Sequence, residues 1–136
     1  MANQLLLTSG GISLMRDFLG SPTADLSPGP PLYIAFASGT PPVTHFLTSL
    51  QGETYRTQIV RREITDRSVT YYGFLGATDN NHLISAYGII AGRNASFVPG
   101  GAGTLIACAN EASPTYKGAD ETRTVQLTIT VSGTIS

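Results

Sequence analysis

From Thr124 to Val131 polar and aliphatic residues alternate without a slip: Val125, Leu127, Ile129 and Val131 against Thr124, Gln126, Thr128 and Thr130. A period of two belongs to a β-strand with one face in a core. A one-residue slip would bury threonine in place of the aliphatic set, so the segment fixes its own register. Its polar face carries no charge, whereas strands facing water usually use lysine or glutamate against edge-to-edge association. The alternation therefore predicts that Thr124, Gln126, Thr128 and Thr130 form a subunit interface or lie beneath a covering segment.

Upstream, β-type segments follow one another at short spacing: 32–37, 55–65, 68–78, 82–92 and 103–112. Residues 8–19 are the one helical pattern, with Thr8 or Ser9 as cap and Ile12, Met15 and Leu19 on one stripe. The glycines at 10 and 11 point to a later start, at Gly11 or beyond. A proline-rich connector spans 21–31. Helices do not alternate with strands, so a parallel α/β sheet is not expected. The pattern predicts a mainly β protein, an antiparallel β-sandwich (jelly-roll-like) with one short N-terminal helix. All 136 residues form a single domain, since that length supports one real core and not two.

Composition narrows the function classes. Hydrophobic residues make up 41% and charged residues only 12%, with a formal net charge of -1. That balance gives no electrostatic case for nucleic acid or an anionic membrane as partner. The uncharged surface points to assembly, and it equally fits a Thr/Ser/Gly-rich soluble β-protein. The single cysteine, Cys108, excludes an intrachain disulfide. The first residues lack a basic region before Leu5–Leu7, and no apolar run reaches membrane-spanning length. A chain folded in a cytosol is the expectation.

No constellation for chemistry emerges. His45 and His82 are far apart and lack partner ligands at metal-like spacing, so neither a metal nor a cofactor is expected. Cys108 sits in an apolar strand, where free cysteines are buried and inert. "PGGAGT" at 99–104 lacks the Lys-Ser/Thr ending of a phosphate loop and reads as a flexible hairpin loop. Arg61, Arg62 and Arg67, with Glu63 and Asp66, are a self-neutralised strand end or a contact for an anion or a partner. Tyr55, Tyr71 and Tyr72 are candidate contacts for a partner protein or a glycan. Tyr71 and Tyr72 must point to opposite faces of their strand, so at most one is core.

The order of segments carries a further signal: "LLTSGGISLMRDFLG", "YIAFASGTPPV", "LQGETYRTQIVR", "VTYYGFLGATDNNHLISAYGIIAG", "GTLIACA" and "VQLTITVSGTIS". From Leu5 to Ser132 this order resembles small structural proteins of tailed bacteriophages, and the N-terminal attachment domains of some phage tail and neck fibres. The chain departs from that pattern at Ala37, where a glycine is common, and at "YGIIAG", where an Ile-Gly-Leu-Phe-like run is common. The resemblance implies a non-enzymatic virion component, made in the bacterial host cytoplasm. It would assemble as a trimer or ring and dock onto other virion proteins. The alternative reading is a carbohydrate- or host-receptor-binding β-sandwich. A small hydrolase rests only on scattered Ser, His and Asp residues.

Overall fold

The computed structural model describes residues 3–20, 31–39, 48–80, 82–92 and 94–130. It is a β-sandwich with one short N-terminal helix. The strands are β1 (Asn3–Gln4), β2 (Leu6–Leu7), β3 (Pro31–Ala37), β4 (Glu53–Gln58), β5 (Arg61–Ile64), β6 (Ser68–Leu75), β7 (Leu83–Ala91), β8 (Thr104–Tyr116) and β9 (Arg123–Thr130); the helix is α1 (Ser9–Gly20). A four-stranded sheet has the order β1-β9-β6-β5, and a five-stranded sheet the order β2-β8-β7-β3-β4. Neighbours are antiparallel except β1 and β9.

The core lies between the sheets. Ile34, Phe36, Ile84, Ile89 and Ile106 meet Tyr71, Leu75, Val125, Leu127 and Ile129 there. The five-stranded sheet is buried on its other face too, where Ala35, Ala37, Ala86, Ile90, Leu105 and Cys108 pack under Leu50 and Ala95. Burial on both faces explains why "LYIAFA", "YGIIAG" and "LIACA" are continuously apolar while β9 alternates.

Two segments pass from one sheet to the other. The amide of Ile59 donates to Leu32 O in the five-stranded sheet, and the next amide, Val60, donates to Tyr72 O in the four-stranded sheet, both at 2.9 Å. Segment 55–65 is therefore two strands and not one. The corner inverts its alternation: Ile59 is buried, whereas Arg61 and Glu63 face outward. On the opposite side, Leu5 N donates to Thr128 O (2.9 Å) and Thr8 N to Ile106 O (3.0 Å), so β1 and β2 divide between the sheets in the same way.

The helix starts at Ser9, with both glycines inside it. Thr8 caps it: Gly11 N donates to Thr8 Oγ1 at 3.3 Å and Ile12 N to Thr8 O at 2.9 Å. The glycines allow close contact with β8. A Cβ on Gly11 would lie 2.1 Å from Ile106 O, and one on Gly10 would lie 2.6 Å from Thr104 Cγ2. Gly11 and Met15, one turn apart, thus face the sandwich; of the expected stripe Met15 lies inward, Ile12 is half exposed, and the side chain of Leu19 lies outside the described residues. Of the connector, Pro31 opens β3, and residues 21–30 lie outside the described residues. β8 runs on through Tyr116, beyond the expected end of that segment at residue 112. Its pairing with β7 slips between Ile84 and Ala86, which leaves 111–114 as a bulge containing Pro114.

Gly11→Ala should destabilise the fold by about 3 kcal/mol, the upper end for overpacking, because the clash is with backbone. Urea denaturation measures this. A shift below about 1 kcal/mol would mean that α1 can lift from β8 at little cost.

Candidate functional site

The register of the four-stranded sheet collects one set of side chains on its outer face. Thr70 pairs with Thr128, Tyr72 with Gln126, Phe74 with Thr124, and Ser68 with Thr130. On the other flank Arg61 pairs with Tyr72 and Glu63 with Thr70. Six of the residues singled out from sequence therefore share a face: Thr124, Gln126, Thr128, Thr130, Tyr72 and Arg61. Thr128 is only 6% exposed, and its hydroxyl lies 2.8 Å from that of Thr70. Thr124 and Thr130 are exposed, and Gln126 is half-buried. Thr128 is thus covered within its own chain, and the accessible band runs through Thr124, Gln126, Tyr72 and the half-exposed Phe74.

Charges on this face neutralise one another. Arg61 approaches Glu63 at 3.2 Å and lies over the Tyr72 ring, 5.0 Å from its centroid. The Tyr72 hydroxyl donates to Glu63 Oε2 at 3.1 Å, which pushes the phenol pKa up. The other candidates go elsewhere. Tyr71 is core, and burial raises its pKa. Arg62, on the opposite face of β5, donates to Pro31 O. Tyr55 lies on β4 in the other sheet; burial and the nearby Asp79 raise its pKa. Cys108 is fully buried and its thiol is pushed up by that burial, the opposite of an activated nucleophile. His82 is exposed, and His45 lies outside the described residues. Among the described residues no three His, Cys, Asp or Glu side chains group to hold a metal.

A second feature was not legible in the sequence. Arg56 is 2% exposed on the outer side of the five-stranded sheet. Its guanidinium pairs with Glu53 and donates to three carbonyls of the β7–β8 loop: Ser96 and Ala102 at 2.8 Å, and Gly101 at 3.0 Å. In a regular strand positions 53 and 56 lie on opposite faces. Here Ala37 pairs with Glu53 and Phe36 with Tyr55, so Thr54 is the extra residue of a bulge that brings Glu53 onto the face of Arg56. The glycine-rich loop expected to be flexible is thereby tied down at its neck. Lys117, also fully buried, fixes the β6–β7 turn in a related way: its Nζ donates to Ala77 O at 3.2 Å, and its backbone amide to His82 O at 3.1 Å.

Arg56→Leu should cost about 3–5 kcal/mol, because it strands the buried Glu53 carboxylate. Hydrogen exchange should speed up in loop amides 94–103 while the β6–β9 ladder keeps its protection relative to global stability. Adding Glu53→Gln should recover part of the loss; a purely additive double variant would count against the pair.

Alkaline titration gives a second check. Burial first, then the hydrogen bond to Glu111 at 2.7 Å, pushes Tyr87 far above the ordinary phenol value of 10.0, and burial also raises Tyr71. Raised folded-state values mean stability that is fully present below about pH 10 and lost as pH rises through the folded values. Denaturation midpoints should fall between pH 9 and 11, and Tyr87→Phe should flatten that slope. No family model, curated protein or solved structure matches this chain.

Proposed function

We propose that this chain is a non-enzymatic structural component of a tailed-phage virion. It would be a tail, neck or fibre-attachment protein that self-assembles and docks onto other virion proteins. The observation that carries the reading is the outer face of the four-stranded sheet. It is a broad band of threonine and glutamine with Phe74 and Tyr72 set into it, and among the described residues the charges that its strand register places there, Arg61 and Glu63, cancel. An electroneutral, partly aromatic face with no outward lysine in its middle has little to repel another protein surface. The segment order from Leu5 to Ser132 supports the virion assignment, and the low overall charge fits a surface that assembly covers.

A glycan-binding role would use Tyr72 as a stacking platform. One side of that ring is engaged by Arg61 and its hydroxyl by Glu63, which favours protein contact.

Mass spectrometry of gradient-purified phage particles should find the chain in multiple copies, and the purified protein should sediment as an oligomer. Thr124→Lys with Phe74→Asp, both at exposed positions, should weaken assembly at least tenfold in concentration and leave thermal unfolding nearly unchanged. A chain absent from particles and monomeric in solution would overturn the reading.

A further inference from the structure

The four-stranded sheet ends at β5, a strand with one neighbour. Its backbone bonds show which polar groups are left over. The hairpin to β6 closes at Thr65, whose amide donates to Ser68 O at 2.9 Å, and at the other end the Val60 amide donates to Tyr72 O. The register between them is regular, from Arg61 with Tyr72 to Ile64 with Val69. Bonded and non-bonded pairs alternate along an antiparallel ladder. Counting back from Thr65, Glu63 and Arg61 turn their amides and carbonyls to β6, whereas Arg62 and Ile64 turn theirs outward. Among the described residues no strand receives them. All four residues of β5 are exposed, and Ile64 reaches 79%.

Lysine, proline or an inward-pointing charge usually guards such an edge. β5 has neither lysine nor proline. Arg62, on the face opposite Arg61 and Glu63, has its guanidinium drawn to the Pro31 carbonyl of its own chain. The outer-face charges differ in sign, Arg61 then Glu63, and lie 3.2 Å apart. A plus–minus order along a strand is complementary to itself once the strand is reversed.

We propose that β5 pairs antiparallel with β5 of a second copy, about a two-fold axis at Arg62. Charge and backbone geometry together select that register. An axis normal to the sheet keeps both outer faces on one side, so it passes through a residue and not between two. An axis at Arg61 or Glu63 would set that charge against its own copy in the closely spaced, non-bonded kind of pair. An axis at Ile64 would run the pairing into the turn closed by Thr65 and Ser68. At Arg62, the outward amide and carbonyl of that residue meet those of the second copy. Ile64 comes opposite Val60, itself 69% exposed. Arg61 comes opposite Glu63 of the second copy, and Glu63 opposite Arg61, in the non-bonded pairs where side chains lie closest. Each of the four charges then has an opposite charge along its own strand and another across the axis. The two Arg62 side chains meet at the wider, bonded spacing, each turned to its own Pro31 carbonyl. Such a contact is isologous and joins copies two by two. It makes one continuous sheet from two and extends the threonine and glutamine face across both copies. It deepens the self-assembly reading above and rests on it.

Sedimentation equilibrium measures the association. Ile64→Pro removes an outward amide and no bond to β6, so it should weaken association at least about tenfold and leave thermal unfolding nearly unchanged. Glu63→Arg alone and Arg61→Glu alone set like charges across the axis and should each cost a similar factor. Their equimolar mixture, and the double swap of Arg61→Glu with Glu63→Arg, restore opposite charges and should associate within about threefold of wild type. Association unchanged in Ile64→Pro, or no recovery in the mixture and the swap, would overturn the edge pairing. The self-assembly reading would still stand if Thr124→Lys with Phe74→Asp broke the same oligomer. A wild-type chain that is monomeric and absent from particles would overturn both.

Discussion

The passage of single strands between the two sheets is the constraint on which the rest of this molecule depends. At Ile59–Val60 successive backbone amides bind opposite sheets, and around Leu5 the N-terminal strand divides in the same manner. Each lateral side of the sandwich is thus crossed by continuous chain, at β1–β2 and at β4–β5, and each of these four edge strands pairs with one neighbour. An open edge offers unpaired amides and carbonyls to any passing strand. These edge strands are short, two to six residues, which limits that template and leaves the faces as the broad surfaces for contact. The five-stranded sheet has its second face covered by Leu50, Ala95 and the β7–β8 loop, so the outer face of the four-stranded sheet is the broad one left.

Two buried cations organise the loops at the sheet ends. Arg56 gathers three carbonyls of the β7–β8 loop and a carboxylate, and Lys117 holds the β6–β7 turn through Ala77. Backbone carbonyls in an irregular loop need donors when they are buried, and a guanidinium supplies several in a fixed plane. The same bonds leave Phe97 and Val98 projecting from a rigid base. Arg56 thereby links packing to the surface: it completes the cover of the five-stranded sheet and holds the apolar tip.

Much of the fold was legible because hydrophobic burial leaves a periodic trace. The alternation of β9 set its inner face, and Tyr71 and Tyr72 divided between core and surface as their adjacency required. Three features left no such trace. The helix begins at Ser9 despite its glycines, since a side chain there would strike Thr104 or the Ile106 carbonyl. The corner at Ile59–Val60 reverses which residues face inward, and a linear alternation cannot register a change of sheet. The bulge at Thr54 brings Glu53 and Arg56 together, although their spacing assigns them to opposite faces.

The candidate surface divides along the same line. The sequence by itself determined that β9 has one aliphatic and one uncharged polar face, because that depends only on the two-residue period of an extended chain. Tertiary structure alone decided what the polar face meets. Pairing with β6 places Thr70 against Thr128 and covers it, brings Tyr72 beside Gln126, and adds Arg61 and Glu63 from a strand far away in the sequence. The physical reason is that period fixes the direction of a side chain relative to its own strand, whereas its neighbours are set by register between strands distant in the chain.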